Sequence, residues 1–315
     1  MGTAAVVVLL NAFPLIVDIL SETYCINPDK IEQAITPKTK AIIPVHLGSK
    51  VADMDKIMAI ANGHNLTVIE DCAHAHAATW GNKGVGSIGH LGCFSFFQTK
   101  MMTSGEGGII LTNNRELAER CESYINCGRL GDNEENKYNV VGWNYRLTEF
   151  QAGILLSQLQ RLPEQDNRRK QNVSYLEEKI AEIKGVGILQ NQDKVGPRVG
   201  FMYIFKYNTE EFGGLPRDRF VAAMVAENIP CYGCYYPPVY KSPLLPLAKE
   251  NLFCPKDSSK NKYYADLFCP VAEKAAFEES VCLPHQLFLG NKEDMDNIID
   301  AIIKIRENIK ELLES

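Results

Sequence analysis

One lysine, Lys100, stands between an apolar run and a glycine-rich turn in the segment FSFFQTKMMTSGEGG. Burial beside an apolar segment disfavours the charged ammonium and lowers the pKa of the amine. An uncharged lysine amine is a nucleophile that condenses with an aldehyde, and the commonest protein use of that reaction is a Schiff base with pyridoxal phosphate. The sequence therefore predicts that Lys100 is a Schiff-base lysine.

An acid, Asp71, ends the apolar run LTVIED about 30 residues before this lysine. If the run is a strand, its carboxylate lies at the carboxyl edge of a sheet, where open α/β folds bind ligands. A carboxylate there can hold a pyridine nitrogen protonated, which makes the ring an electron sink. We expect this role for Asp71 and expect Glu70 to point the opposite way. Taken alone, Asp71 would more often be a helix N-cap or a loop acid.

Hydroxyl groups surround the lysine on both sides. Ser95 precedes it, and Thr103, Ser104 and Gly105 follow it. Hydroxyls and free backbone N–H groups around a tight turn can hold a phosphate dianion. The GEGG segment fits equally well a hairpin turn that leads into GGIILT, and spacing alone leaves the two interpretations open.

Three histidines and one pair of cysteines are candidate metal ligands. His74 and His76 follow Asp71 closely, and His46 ends another apolar run, but no carboxylate or cysteine completes a spacing typical of a metal site. We expect His74 near a bound ring and His46 in the core. Cys231 and Cys234 form the one CxxC pair of the sequence, without a second pair at zinc-ribbon distance. We therefore expect no metal.

Composition limits the class of protein. The chain has 315 residues, 45% of them hydrophobic and 23% charged, which excludes fibrous and disordered classes. The net charge of −6 comes without a basic stripe for nucleic acid, so we expect a small-molecule partner. Ten cysteines without regular spacing are typical of a reducing compartment, and we expect a cytoplasmic protein.

The apolar amino-terminal segment lacks a basic leading stretch and carries Asn11, Pro14 and Asp18. These residues argue against a signal peptide and a membrane span, and we expect a buried helix followed by a strand in PLIVDI.

Short apolar runs alternate with helical patterns through the first half, which is typical of a parallel α/β sheet wound by right-handed crossovers. CFSFF and GGIILT are predicted as neighbouring strands on either side of the Lys100 loop. A helical pattern from Leu147 to about Ile183 would suit a bridge to a second domain, and Pro163 is expected to kink or restart that helix. A strand in RVGFMYIFKYN, a helix in RDRFVAAMVAENI and an amphipathic terminal helix follow.

Four segments carry a family resemblance over nearly the whole chain and in the right order: TKAIIPVHL, VIEDCAHA, FSFFQTKMMTSGEGG and GWNYRLTEFQAG. Together they resemble the DegT/DnrJ/StrS family of pyridoxal-phosphate aminotransferases, which aminate keto sugars and cyclic ketones. The resemblance implies a large domain of the aspartate-aminotransferase type (fold type I) with a mainly parallel sheet over residues 1–165. It also implies a smaller carboxyl-terminal α/β domain over residues 166–315 and a homodimer with shared active sites.

Carried over by position, Lys100 resembles the Schiff-base lysine and Asp71 the partner of the pyridinium nitrogen. His74 falls where the family places a residue near the phenolic oxygen of the ring, and Ser95 matches a phosphate ligand. Asn144 matches a residue that reaches the phosphate of the other subunit's cofactor. Lysine at position 100 argues against the dehydratase branch, which carries histidine there.

The resemblance implies glutamate or glutamine as the amino donor and a keto sugar or keto cyclitol as the acceptor. Three segments favour the branch acting on inosose-type cyclitols and aminohydroxybenzoate precursors over the nucleotide-sugar branch. They are FFQTKMMTSGEGG, YYPPVYKSPLL and CLPHQLFLG. Tyr235, Tyr236 and Tyr240 lie where the family has a substrate loop, so their hydroxyls are candidate acceptor contacts. Packing is the alternative role for these tyrosines.

Family members carry a further segment before the point that matches residues 1–20. A ring-stacking aromatic residue and a glycine–threonine turn that binds phosphate then have no counterpart in this sequence, and we expect the chain alone to bind pyridoxal phosphate weakly. The alternative function is a catalytically silent member with a regulatory or binding role. A nucleotide-binding enzyme is disfavoured because no GxGxxG follows an early strand.

Overall fold

Two main sheets carry the fold, one in each half of the chain, and a short hairpin lies apart from both. The computed structural model describes residues 1–129, 138, 140–233, 237–242, 245 and 263–314. Within these residues the first sheet has four strands and the second has three. The α/β class with a mostly parallel first sheet, predicted from the alternation of apolar runs and helical patterns, is confirmed.

The first sheet gathers the carboxyl ends of its parallel strands at one edge. Its strands are β1 (Ala41–Ile42), β2 (Thr67–Asp71), β5 (Leu91–Ser95) and β6 (Gly108–Leu111), and the hairpin comprises β3 (Thr79–Trp80) and β4 (Lys83–Gly84). β1, β2 and β5 are parallel, and β6 runs antiparallel to β5. Asp71 pairs in register with Cys93, so β2 ends at the same edge as β5, which continues two residues further to Ser95.

The described part of the first half has four α-helices, one of which packs against this sheet. They are α1 (Gly2–Leu9), α2 (Ile31–Ala34), α3 (Met54–Gly63) and α4 (Arg115–Ile125). The start of α3 is set by Asp53, whose side chain accepts from the Lys56 N–H as an N-cap. Met54 and Ile57 are fully buried against Val68 in one apolar cluster. The helix thus turns one face to the sheet, as the sequence pattern predicts.

A long helix, α5 (Glu149–Ile180), connects the two halves. It begins with a capping box in which Thr148 and Gln151 satisfy each other's backbone N–H groups. Pro163 lies inside the unbroken helix, so the predicted restart at this residue is wrong. Pro163 is exposed, and the carbonyl that loses its helical partner can bond water there.

The second sheet is antiparallel and has its own core. Its strands are β7 (Val186–Ile188), β8 (Met202–Tyr207) and β9 (Ser280–Pro284), and the helices of this half are α6 (Arg217–Ala226), α7 (Pro270–Lys274), α8 (Lys292–Glu307) and α9 (Ile309–Glu314). Fully buried Phe205, Phe212, Phe220 and Phe288 pack with the carboxyl-terminal half of α5 and with α8. The predicted strand, helix and amphipathic terminal helix of this half are confirmed.

The amino-terminal segment differs from its prediction. The helix exists as α1, but Leu9 is 71% exposed, so it is not a buried helix. Residues 14–19, predicted as a strand, form only an isolated bridge between Ile19 and Ile26, because the carboxyl-terminal half satisfies polar groups of this segment instead. The Tyr264 hydroxyl donates to the Pro14 carbonyl, and the Asp18 carboxylate accepts from the Val271 and Ala272 N–H groups.

Two further observations concern the described part of the chain. No helix there has both the length and the apolar character that crossing a membrane requires. Every cysteine there is free, and Cys234 and Cys254 lie outside the described residues.

Candidate active site

Lys100 lies in the loop that connects the antiparallel strands β5 and β6. Its N–H donates to the Phe97 carbonyl at 2.9 Å, and the Ser104 N–H and Thr103 hydroxyl both donate to the Phe96 carbonyl. Hydrogen bonds to residues directly after β5 therefore fix the conformation of the loop. The two predicted strands flank it as neighbours, which confirms that prediction.

The amine of Lys100 is half-buried, and burial lowers its pKa to about 8. The negative charge of Asp71 acts in the opposite direction but is the weaker cause. Nζ lies 4.1 Å from the centroid of the Phe201 ring, a cation–π contact for its protonated form. The uncharged share of this amine near neutral pH is consequently far larger than that of an ordinary lysine.

Asp71 ends β2 at the edge from which the Lys100 loop departs. Its Oδ2 accepts from the Thr3 hydroxyl at 2.7 Å, and its Oδ1 accepts from the Ala73 N–H at 3.1 Å. A carboxylate has about four acceptor positions, so capacity remains for another donor. The α1 helix thus holds this acid by Thr3, a contact that no spacing in the sequence indicates.

Glu70 points away from Asp71, as the alternation of a strand requires. It is fully buried, and it accepts from the N–H groups of Gly86, Ile88 and Gly89 and from His46 Nε2 at 3.2 Å. Burial raises its pKa, but the hydrogen bonds from His46, Gly89 and Gly86 outweigh that effect and leave the pKa below its usual value. Glu70 therefore fixes residues 86–89 behind the site.

His46, Glu70 and Cys72 bring three potential metal-ligand atoms within 4.8 Å of one another. His46 Nδ1 accepts from the Ala52 N–H, so Nε2 carries the proton and donates it to Glu70. Burial raises the pKa of Cys72, and its protonated thiol faces the Glu70 carbonyl at 3.6 Å. These donors are committed within the protein, so the cluster is structural, and the core role predicted for His46 is confirmed.

His74 follows β2 and stacks on Phe201, with ring centroids 4.4 Å apart and an interplanar angle of 27°. Burial first, and then the positive charge of Lys100, lower its pKa to about 3. The imidazole is therefore neutral at physiological pH. Phe201 was missed by the sequence analysis, because it enters from the second half of the chain just before β8.

His285 and Arg169 complete the surroundings of the lysine loop from the second half. His285 Nε2 lies 3.1 Å from the Thr99 carbonyl, and Arg169 contacts the same imidazole. His285 stands in the segment CLPHQLFLG, which the sequence analysis used only to choose between substrate branches. No local sequence pattern could predict that His285 lies near the lysine loop, because it is 186 positions from Thr99 in the sequence.

The side chains at this edge fit pyridoxal phosphate. Ser95 Oγ, at the end of β5, accepts from the Phe97 N–H at 3.2 Å, and its own hydroxyl proton can serve a phosphate oxygen. Gly105 and Gly107 take positive φ angles of 82° and 142°, so the loop needs glycine there. The hydroxyls of Thr103 and Ser104 donate within the loop. The lysine amine, an acid and a serine hydroxyl are the groups that the cofactor requires.

Other predicted site residues lie differently. Asn144 is exposed, and its Oδ1 accepts from Arg146 Nε at 2.9 Å rather than from the lysine loop. Tyr240 is buried, its hydroxyl donates to the Glu273 carboxylate, and it accepts from the Cys269 N–H at 3.0 Å. Tyr235 and Tyr236 lie outside the described residues.

Several named proteins are similar to this chain. A protein of Streptoalloteichus tenebrarius, provisionally named an L-glutamine:3-amino-2,3-dideoxy-scyllo-inosose aminotransferase, is 39% identical over 316 residues, which cover 99% of this chain and 76% of the relative. An L-glutamine:2-deoxy-scyllo-inosose aminotransferase of the same organism is 34% identical over 321 residues, covering 99% and 75%. An L-glutamine:scyllo-inosose aminotransferase of Streptomyces griseus is 32% identical over 320 residues, with the same coverage.

Solved structures agree with this likeness. The crystal structure of 3-amino-5-hydroxybenzoic acid synthase superposes with a TM-score of 0.83 at 28% identity and covers 96% of this chain and 77% of its own. An aminotransferase from Psychrobacter cryohalolentis superposes with a TM-score of 0.84 at 29% identity, covering 98% and 79%. The profile of one family matches residues 1–303, and on that match the chain belongs to the DegT/DnrJ/EryC1/StrS aminotransferase family.

Proposed function

We propose that this protein is a pyridoxal-phosphate-dependent aminotransferase that moves an amino group from glutamine or glutamate to a keto cyclitol of the inosose type. The observation that carries the proposal is the Lys100 amine, whose pKa is lowered to about 8 at the sheet edge where Asp71 ends its strand. An amine of this kind is both a nucleophile toward an aldehyde and a base for a carbon-bound proton. Family membership supports the cofactor and the reaction class.

The bound cofactor would supply an electron sink that stabilises a carbanion next to the transferred nitrogen. Asp71 would keep the pyridine nitrogen protonated with the acceptor capacity left beside Thr3. The neutral His74 imidazole would face the ring, and Ser95 would donate to the phosphate. Each of these residues orients or polarises, and none needs to change its charge during the reaction.

Lys100 would hold and move the proton. Its neutral amine is the group that would tether the cofactor, and it would be free to act as a base once the amino donor is bound. The free Nζ would then accept the proton from the α-carbon of the amino donor. It would release that proton to the carbon on the other side of the transferred nitrogen. A pKa near 8 suits both directions, because general acid–base catalysis is most effective when the pKa lies near the working pH.

The acceptor branch is proposed from the relatives. Those reported above are named for inosose substrates and L-glutamine, in agreement with the branch that the three sequence segments favour. Tyr235 and Tyr236 remain candidate contacts to acceptor hydroxyls. For Tyr240 we favour the packing alternative, because its hydroxyl is occupied by Glu273 and the Cys269 N–H.

A homodimer is the proposed assembly. Apolar side chains are exposed along β6 and the first half of α5, including Ile109 at 45% and Phe150 at 88%. Trp143 and Tyr145, also exposed, stand on either side of Asn144. Monomers rarely leave such a face uncovered. A second copy packed on it would cover these residues and give Asn144 access to the neighbouring cofactor, and a single monomeric mass in light scattering at micromolar concentration would contradict this.

We also propose the domain division into residues 1–165 and 166–315 and a cytoplasmic location. Two separate apolar clusters, one within residues 25–85 and one within residues 173–305, support two domains, although α5 runs across the proposed boundary. The free thiols support a reducing compartment.

The test is an amination assay of the 315-residue protein with saturating pyridoxal phosphate and glutamine. We expect turnover of 2-deoxy-scyllo-inosose or scyllo-inosose, little turnover of a nucleotide-linked 4-keto sugar, and none with Lys100→Ala. Preference for the nucleotide sugar would overturn the branch. Turnover by Lys100→Ala equal to that of the wild type would overturn the mechanism.

A further inference from the structure

The peptide that carries Lys100 is held by a side chain from the other half of the molecule. His285 follows β9 directly, is 5% exposed, and places Nε2 3.1 Å from the carbonyl oxygen of Thr99. Thr99 immediately precedes Lys100, so a fixed Thr99 carbonyl fixes the plane of the peptide from which the lysine side chain extends.

Arg169 of α5 holds that imidazole in turn. Its Nη2 lies 3.2 Å from His285 Nδ1, and its Nε donates to the His285 carbonyl at 3.4 Å. Arg169 is 1% exposed, so these contacts are shielded from water. The Arg169 guanidinium therefore binds both the imidazole and the backbone carbonyl of His285.

The two neighbours require the same tautomer of His285. A guanidinium can only donate, so Nδ1 must accept, and a carbonyl oxygen can only accept, so Nε2 must carry the proton. Burial, followed by the positive charge of Arg169, lowers the pKa of His285 to about 4 and keeps the ring neutral at physiological pH. The connection from α5 to the lysine loop is consequently a fixed chain of two directed hydrogen bonds.

We infer that His285 and Arg169 are positioning residues for Lys100, which hold the Thr99–Lys100 peptide so that Nζ lies where an aldehyde carbon can be attacked. Phe201 supplies the side-chain half of this alignment, since Nζ lies over its ring and the ring centroid is 6.4 Å from that of His285. The inference rests on the proposed function. Its consequence is kinetic, because misplacing a reacting group by about 1 Å can cost on the order of 100-fold in rate.

The experiment measures how fast the apo-protein captures pyridoxal phosphate covalently. In that step the Lys100 nitrogen forms a bond to the aldehyde carbon, and the aldehyde oxygen leaves as water. Samples are quenched with borohydride over time, and the label on the Lys100 peptide is quantified by mass spectrometry. The variants are His285→Phe, His285→Gln, Arg169→Met and the matched control Arg168→Met, whose wild-type side chain donates to the Gly290 carbonyl and not to His285.

We expect capture to be slowed about 10-fold or more in His285→Phe and Arg169→Met. His285→Gln keeps an N–H donor in reach of Thr99 and should recover most of the rate, whereas Arg168→Met should stay within about twofold of the wild type. If His285 only packed in the core, restoring an N–H donor with glutamine would not restore the rate of capture. If His285→Phe does not fold, His285→Gln and Arg169→Met still decide the matter.

Capture by folded Arg169→Met within about twofold of the wild type would overturn the inference while leaving the proposed function intact. Equal slowing in Arg168→Met would overturn it as well, since that change leaves the His285 contacts in place. Absence of capture in the wild-type protein would overturn the proposed function itself, and the inference with it.

Discussion

Two lysines of this protein, Lys100 and Lys50, share a lowered pKa but not an environment. Burial is the largest cause in both, and a carboxylate opposes it in both: Asp71 for Lys100 and Glu177 for Lys50. Lys50 is 5% exposed, and its Nζ donates to Asn191 Oδ1 at 3.2 Å. Lys100 is half-buried and rests on the face of Phe201.

The partners of Lys50 form a closed polar network between the two halves of the chain. Asn191 Nδ2 also donates to Glu177 Oε2 at 3.3 Å, and the neighbouring Val51 exchanges two hydrogen bonds with the side chain of Gln192. An ammonium in such a network is occupied in holding parts together. Burial therefore makes an amine easier to deprotonate, but partners and access decide whether the amine is structural or reactive.

The largest expected effect comes from the two opposing carboxylates. Asp71→Asn should lower kcat about 100-fold or more, because a neutral amide cannot stabilise a protonated pyridine nitrogen. Glu177→Gln, the matched change beside Lys50, should lower Tm but alter kcat less than about threefold. Steady-state kinetics with glutamine and an inosose would measure both, and equal losses of activity would show that the two carboxylates do not differ in role.

The pH dependence of labelling should separate the two amines next. Only the free base attacks an aldehyde, so labelling of Lys100 by pyridoxal should rise about tenfold per pH unit below pH 8 and level off above it. At pH 7 this gives Lys100 on the order of 100 times more free amine than an ordinary lysine. Lys50 should stay unlabelled throughout. A Lys100 labelling rate that still rises steeply beyond pH 9 would contradict the lowered pKa.

Glu70→Gln should affect stability through the support behind the site. The change leaves several buried donors with a weaker acceptor and should cost about 2–4 kcal/mol of the free energy of unfolding. The pKa of Glu70 in the folded state lies below its usual value. The wild-type carboxylate therefore stabilises the fold at every pH above that usual pKa, and the stabilisation is lost as the pH falls through the folded-state pKa. Urea unfolding of both proteins at pH 7 and pH 4 would measure this, and a constant difference between them would contradict it.

The smallest effect on activity is expected for Lys50→Met. Methionine fills a similar volume but leaves Asn191 Oδ1 and the buried Glu177 carboxylate without the ammonium, so the free energy of unfolding should fall by about 1–3 kcal/mol. Capture of pyridoxal phosphate by Lys100 should stay within about twofold. A large loss of capture in this folded variant would show that the lysines are coupled rather than separate.

The sequence sufficed for the parts of the site that local spacing encodes. Asp71 ends a strand that is marked by a short apolar run, and Lys100 follows the next strand of the sheet, so the sequence places both at one edge. The loop between β5 and β6 was predicted for the same reason. Local patterns are sufficient for this prediction because neighbouring parallel strands have their carboxyl ends at the same edge of the sheet.

The remainder depends on contacts between distant parts of the chain. Phe201, His285 and Arg169 reach the lysine loop from the second half, and no period or motif in the sequence pairs them with it. Residues 14–19 were predicted as a strand from their apolar run, but Tyr263, Tyr264 and α7 satisfy polar groups of this segment. Tertiary partners of this kind override local preference.

The most direct measurement is the site of covalent attachment. The wild-type protein is incubated with pyridoxal phosphate at pH 8, reduced with borohydride, digested and mapped by mass spectrometry. The phosphopyridoxyl group is predicted on Lys100, with Lys50 unmodified and the label absent from Lys100→Ala. A label on another lysine, or none on the folded wild-type protein at saturating cofactor, would contradict the account.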